Sequence, residues 1–454
     1  MTATASSPVT PGDSRAVDVP RRIGRLSVGS WVLYDLANTA FSFGIISVFY
    51  PELVKDVLHR GDSTVGNLDA MAAALIFVLA PVLGALSDQA PRRLPFLAVS
   101  TILCVVATFF LGQASIALMF ALFVIATVCF QAGLIFYDSL LPEVSTDENR
   151  GRVGGIGVGV GYAGSLLAYG AGSLILAGKG ERTPDDYATV FQAIAVIFLV
   201  CAIPAFLFVR ERPRVTPPLS LRVVPEAFSQ LAVTARRARR YRGLGPFLVG
   251  RMFYADAANT LIFMVYLYAL DSLKLSPGEA RAVAIPSIAA AIPAGLAWGV
   301  VVDRIGPKRT LDAVLLLWMT IFGTAAAIPV FRLPSVLIYG VSVFVGIALA
   351  GLWASDRPLM ARLAPPRYYG QFFGLYAMVG RFGAIVGPFM WGVIADKHML
   401  GWGQPAAVMF LLLMVVIAFA ILRRVDDRPR EWGPDDLARL AEDGAESSIA
   451  NSRA

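Results

Sequence analysis

The stretch "GSWVLYDLANTAFSFGIISVFY" at 29–50 is apolar and long enough to cross the roughly 30 Å hydrocarbon core of a bilayer. Yet its middle holds a carboxylate, Asp35, and an amide, Asn38. The stretch "GPFLVGRMFYADAANTLIFMVYLYAL" at 245–270 repeats the pattern with Asp256 and Asn259, 221 positions later. A charged side chain at the centre of a membrane helix costs about 2.5–3.5 kcal/mol on insertion scales. Two such placements in matching contexts imply an interior that is not lipid.

Working outward, apolar segments of similar length recur along the whole chain, at 29–50, 67–87, 94–112, 115–138, 154–177, 188–209, 246–270, 281–302, 309–330, 334–355, 370–395 and 404–422. The composition agrees: 57% hydrophobic and 16% charged residues, with a mean hydropathy of +0.66. Soluble domains carry about a quarter charged residues. The expected fold is therefore all-α, with twelve transmembrane helices. Pro286, Pro293 and Trp353 blur the edges of the eighth and tenth.

Lys and Arg set the orientation. With the N-terminus in the cytoplasm, the inner loops and near tails collect 27 of the 39 basic residues, among them Arg92–Arg93 and nine Arg between 210 and 242. The outer loops collect eight. This predicts a multi-pass protein of the cell (inner) membrane with both termini cytoplasmic. The net charge of +7 is then topogenic and no sign of nucleic acid, although "ARRARRYR" at 235–242 would touch anionic membrane lipid. Residues 1–25 lack the apolar core of a signal peptide. Cys104, Cys129 and Cys201 are scattered among the spans, and His59 and His398 lie at separate outer loops, so neither disulfide nor metal site is expected.

The chain is written twice. Asp88 and Asp303 are 215 apart, each following a span, and Asp138 and Asp356, each ending one, are 218 apart. Gly151, Gly155, Gly161 and Gly164 fall on Gly370, Gly374, Gly380 and Gly383 at a constant offset of 219. The reading is an N-terminal tail (1–25), a six-helix half (26–209), a basic cytoplasmic linker (210–245), a second half (246–423) and a C-terminal tail (424–454). Two parallel halves of six spans are a layout of transporters that work by alternating access.

The loop pattern Gly-x-x-x-Asp-x-x-Gly-x-Lys-Arg at Gly299, Asp303, Arg304, Gly306, Lys308 and Arg309 resembles the signature of the major facilitator superfamily. The first copy, "GALSDQAPRR" at 84–93, departs from it at Gln89 and Pro91. Closer still, "WVLYDLANTAF" (31–41), "LLPEV" (140–144) and "FFGLYAMVGRFGAIVGP" (372–388) resemble the "unknown major facilitator" family and its vacuolar amino-acid effluxer-like relatives. "ASDRP" (354–358) and Leu36 depart from that pattern, which puts a role for Asp356 in question. The resemblance implies a central cavity lined by the first, fourth, seventh and tenth spans. It also implies a small polar substrate such as an amino acid, and export.

Asp35 with Asn38, and Asp256 with Asn259, share one helical face by their spacing of three; Tyr34 and Tyr254 stand just before them. A carboxylate beside an amide suits a proton or the amino group of a substrate, and Arg381 suits an anionic group. Structural pairing of these acids with Arg381 or Arg251 is the competing explanation. By resemblance, Asp88 with Arg92 and Arg93, and Asp303 with Arg304, Lys308 and Arg309, form a cytoplasmic gate. "GVGYAG" at 159–164 has no preceding strand and is no dinucleotide site. The expectation is a proton-coupled secondary transporter, monomeric, without cofactor, metal or catalytic residues. A transport-inactive receptor or scaffold of the same fold is the alternative, and an integral membrane enzyme the weaker one.

Overall fold

The computed structural model describes residues 23–60, 62–113, 115–179, 182–214, 243–396, 399–426 and 428; the side chains of a few of these, including Phe263 and residues 381–385, lie outside the description. The expected tails and most of the 210–245 linker also lie outside it. Twelve long helices follow one another: α1 (Arg25–Phe41), α2 (Asp62–Gln89), α3 (Leu94–Phe109), α4 (Ile116–Ser139), α5 (Arg150–Leu176), α6 (Pro184–Phe208), α7 (Leu244–Asp271), α8 (Ala284–Ile305), α9 (Pro307–Val330), α10 (Leu337–Leu363), α11 (Tyr369–Ala395) and α12 (Gln404–Leu422). α1 continues through a π-helical stretch, Ser42–Phe49. No strand occurs among the described residues. In hydrocarbon a helix satisfies its backbone within one segment, so an apolar run of this length has little alternative.

Nine of these helices, α1 with its continuation among them, are long and apolar enough to span a bilayer by themselves. α7 is bent by 53° between Ile262 and Met264, and α3 is shorter. Two helices run further than hydropathy suggests. α5 starts at Arg150, and α10 passes through "ASDRP" to Leu363. The tenth span therefore does not end at 355. Pro358 removes one backbone donor without ending the helix, and within the same turn Ser355 Oγ donates to the carbonyl of Gly351 at 2.7 Å.

In the first half α1 packs on α5 and α6, and α4 on α2 and α3; in the second α7 packs on α11 and α12, and α10 on α8 and α9. The halves meet along α2–α11 and α5–α8. Both seams are lined by glycine, which lets backbones approach closely. A Cβ on Gly155 would lie 2.5 Å from the Cα of Gly299, and one on Gly374 2.7 Å from the carbonyl of Ala80. Large apolar side chains such as Leu174, Leu207 and Phe389 are exposed on the outside, as a lipid-facing surface requires.

Candidate functional site

On α10, Asp356 and Arg357 are adjacent and so point in directions about 100° apart. Arg357 reaches across to the other half. Its Nη1 lies 3.5 Å from Asp35 Oδ2 on α1, and its Nε 3.2 Å from Asp138 Oδ1 at the end of α4. Asp356 stays within its own half, with Oδ2 3.4 Å from Nε of Arg251 on α7. The Arg251 guanidinium stacks 3.5 Å over the ring of Tyr376 on α11, and that of Arg357 faces the ring of Tyr137 on α4 at 5.7 Å. The contributors are α1, α4, α7 and α10, the four helices that the resemblance assigns to the central cavity.

Three carboxylates and two guanidiniums are thus gathered in one buried region: Arg357 joins Asp35 and Asp138 across the halves, and beside it Asp356 pairs with Arg251. Asp356 is fully buried, and the most open member, Arg357, has 14% of its side chain exposed. Stacked rings hold one end: Trp31 lies on Tyr137 with centroids 4.5 Å apart and donates from Nε1 to the Tyr137 carbonyl. Glycines make room for the charges. A Cβ on Gly157 would sit 3.1 Å from Asp35 Oδ2, and one on Gly380 2.5 Å from Arg251 Nη1. The cluster lies inside the face at which α1 begins and α12 ends. At 1.5 Å per residue Arg357 is about 9 Å in from Leu363, and Arg251 about 10 Å in from Leu244.

The two motif carboxylates do not share one environment. Asp256 is fully buried against α11, where Oδ1 accepts from the Gly387 amide at 3.0 Å and from Thr260 Oγ1 at 3.4 Å. Among the described residues its Oδ2 has no hydrogen-bond partner and no basic side chain pairs with it. Asn38 is buried with both amide atoms unpartnered, and Asn259 is half-buried. Tyr254 is buried beside Asp356. Tyr34 turns the other way. Its hydroxyl is 2.6 Å from Thr101 Oγ1 on α3 and its ring meets Phe198 and Phe206 of α6, so it braces the first half instead of standing beside Asp35. One residue of helical rotation separates the two directions. The side chain of Arg381 lies outside the described residues.

At the face where α1 begins and α12 ends, the two loop aspartates each cap a helix of the opposite half. Asp88 accepts from the Gly370 and Gln371 amides at 2.8 and 2.7 Å, the open N-terminus of α11. Asp303 accepts from Gly151 and Arg152 at 2.7 and 3.1 Å, the start of α5. Free N–H groups and the helix dipole both favour an anion there. Glycine is needed at these positions, because a Cβ on Gly370 would lie 2.6 Å from Asp88 Oδ1. The basic partners differ from expectation. Arg93 does pair with Asp88, at 2.5 Å, but Asp303 pairs with Arg152. Lys308 turns to Asp312, one helical turn along α9, and Arg92, Arg304 and Arg309 are exposed with no ion pair among the described residues. Helix ends, not the neighbouring basic side chains, are the main partners of these carboxylates.

Sequence reasoning missed Arg357 as a site residue, because a span ending at 355 left it in a loop. The echo of Asp138 and Asp356 was the available signal. Comparison with known proteins bears on what the assembly is. The family model described as "Vacuole effluxer Atg22 like" matches residues 62–430. The chain is 26% identical to the uncharacterized MFS-type transporter YxiO of Bacillus subtilis, over 89% of this chain and 95% of that one. It is 24% identical to autophagy-related protein 22-1 of Neosartorya fischeri over 64% of its length, and spans about half of that relative (50%). Among solved structures, the proton:xylose symporter XylE superposes with a TM-score of 0.65 at 16% identity, covering 88% of this chain and 94% of that one. FucP in the outward conformation gives 0.66 at 15%, covering 88% and 98%. At such identities the likeness establishes the major facilitator fold and no more.

Proposed function

The chain belongs to the Atg22-like vacuole effluxer family of major facilitator transporters, and from that premise we propose that it exports a small zwitterionic solute, such as an amino acid, with protons as the coupling ion. In this reading it acts as a monomer in the cell membrane. The face at which α1 begins and α12 ends is cytoplasmic, and the caps made by Asp88 and Asp303 hold that face shut.

The observation that carries this reading is Arg357 pairing with Asp35 and Asp138 across the two halves. Opening the cytoplasmic face pulls the halves apart. Two carboxylates then remain on the first half and a guanidinium on the second. Breaking a buried pair and leaving a charge uncompensated costs about 3–5 kcal/mol. A zwitterion offsets both ends of that cost, its ammonium meeting Asp35 and Asp138 and its carboxylate meeting Arg357. A solute with one charge or none repairs only part of it. In the same reading Arg381 assists the anionic end, and Asn38, Asn259 and Tyr254 offer hydrogen bonds from the cavity side.

Two features support proton coupling. The cluster has one more carboxylate than guanidinium, and Asp256 is buried without a cation among the described residues. A proton at either place cancels a charge held away from water. The test is flux in proteoliposomes over a panel of amino acids, amines, carboxylates and sugars, with and without a pH gradient, for the parent, Asp35→Asn and Asp256→Asn. Zwitterions are expected to move best, and both variants to lose the gradient dependence. Full gradient-driven flux in both variants removes the proton assignment. If no solute moves or raises thermal stability, the receptor or scaffold reading takes its place.

A further inference from the structure

Beyond α6 the chain does not simply leave the bundle. Residues 209–214, "VRERPR", fold back over the loop between α2 and α3. Glu211 is buried and accepts from the amides of Arg93 at 2.5 Å and Leu94 at 2.9 Å, the exposed donors at the start of α3. The amide of Arg214 donates to the Pro91 carbonyl at 3.0 Å. Its guanidinium then reaches three acceptors: the Ser87 carbonyl at 3.2 Å, Asp88 Oδ1 at 3.3 Å and Glu211 Oε1 at 3.4 Å. The same Asp88 carboxylate takes Arg93 and the two α11 amides. One buried carboxylate thus joins the linker head, the α2–α3 loop and the opposite half.

The sequence carries a second, independent sign. "VRERPR" at 209–214 recurs as "VDDRPR" at 425–430, 216 positions later and just past the last helix of the second half. That offset matches the 215 between Asp88 and Asp303, so the repeat that duplicates the capping aspartate also duplicates an acid and an arginine behind it.

We propose that Glu211 and Arg214 form a clamp that seats Asp88 on the N-terminus of α11, so that the linker head sets the balance between the closed and open states of this face. The proposal rests on the transporter reading for its purpose, but not for its geometry. Glu211 caps the start of α3; Arg214 is a third donor on Asp88 Oδ1, beside Arg93 and the Gly370 amide, and ties that carboxylate to Glu211. Asp88 would otherwise share its charge among Arg93 and the α11 amides alone, and its side chain would be free to rotate off them. Both are positioning residues, since among the described residues neither hydrogen-bonds α11 itself and both act through Asp88 or the start of α3.

The test uses the full-length protein in nanodiscs, with Cys104, Cys129 and Cys201 replaced by alanine and spin labels at Arg92→Cys and Arg304→Cys. These two exposed sites lie on opposite halves of the same face. Pulsed dipolar distances report the closed and open populations without any substrate. Arg214→Ala is expected to raise the open-to-closed ratio roughly tenfold, the size of one lost charge-assisted hydrogen-bond set. Arg214→Lys, which keeps charge but not the fork, should fall between. Arg212→Ala, an exposed neighbour carrying the same charge, should change nothing. In an Asp88→Asn background, Arg214→Ala should have no further effect. An unchanged distribution in a folded Arg214→Ala protein overturns the clamp, as does an equal shift from Arg212→Ala. If the distances shift as expected but no solute is transported, the clamp stands and the transport reading falls.

Discussion

Replacing Arg357 by Gln tests the site most directly. The side chain bridges two carboxylates of the other half at 3.5 and 3.2 Å. No member of the trio exposes more than 14% of its side chain, so screening by salt is weak. The pairs exist only while the halves are together at this depth. Removing the guanidinium leaves two buried acids facing each other and costs the closed state about 3–5 kcal/mol. At 1.36 kcal/mol per factor of ten, the open-to-closed ratio of this face rises by about two to four orders of magnitude. Label pairs at the exposed loop positions 92 and 304 read that shift as a longer mean distance, and zwitterion flux should fall with it. The reciprocal variant, Asp138→Arg with Arg357→Asp, restores a pair of opposite sign across the same gap and should recover closure. If Arg357→Gln leaves both the distances and the flux unchanged, the inter-half ion pair holds nothing, and the zwitterion argument built on it goes too.

Other outcomes follow from the same geometry. Gly155→Leu places side-chain atoms where the α8 backbone already lies 2.5 Å from a Cβ position, so the α5–α8 seam cannot close; the labelled protein should populate only the open state, whereas Gly170→Ala, with nothing within 4 Å, should behave as the parent. Tyr34→Phe loses the bond to Thr101 and should lower thermal stability by about 0.5–1.5 kcal/mol, with the apparent affinity for solute unchanged; a large loss of affinity would return Tyr34 to the binding site. Burial raises the Glu211 carboxyl above the ordinary glutamate range, against the pull of the Leu94 amide and Arg93. Docking of the linker head therefore takes up a proton between those two values, strengthens as pH falls through that window and weakens as it rises. A label at Arg212 should grow less mobile on acidification in the parent but not in Glu211→Gln, and the opposite trend in the parent contradicts the burial argument.

How far the letters alone reach depends on what each signal measures. Twelve long helices and the repetition of Asp88 as Asp303 were legible, because span length and the offsets near 218 are properties of the chain read along itself; that these aspartates cap helices of the opposite half was not. The four-glycine echo was legible as well, and so was the close helix approach it serves at Gly155 and Gly374. Gly370 and Gly151 keep helix N-termini open to an aspartate of the other half, and Gly155 and Gly374 admit a neighbouring backbone. The cluster was hidden for a different reason. Hydropathy reads a polar "ASDRP" as the edge of a membrane span, since it cannot tell bulk water from the polar interior of a bundle. Only the packed structure could show α10 running on to Leu363, and Arg357 inside it.

Likewise, a spacing of three puts Asp35 and Asn38 on one face but does not say which neighbour that face meets. Helix rotation and inter-helix register are set by packing among distant segments, not by local periodicity. They turned Tyr34 toward Thr101, gave Asp35 an arginine from the other half, and left Asp256 with a backbone amide and a hydroxyl. The sequence by itself determined that this protein crosses the membrane many times, as two copies of one design with acids buried in each. Which charge meets which was decided only when the two copies packed together, because an ion pair is a relation between helices and no single helix encodes it.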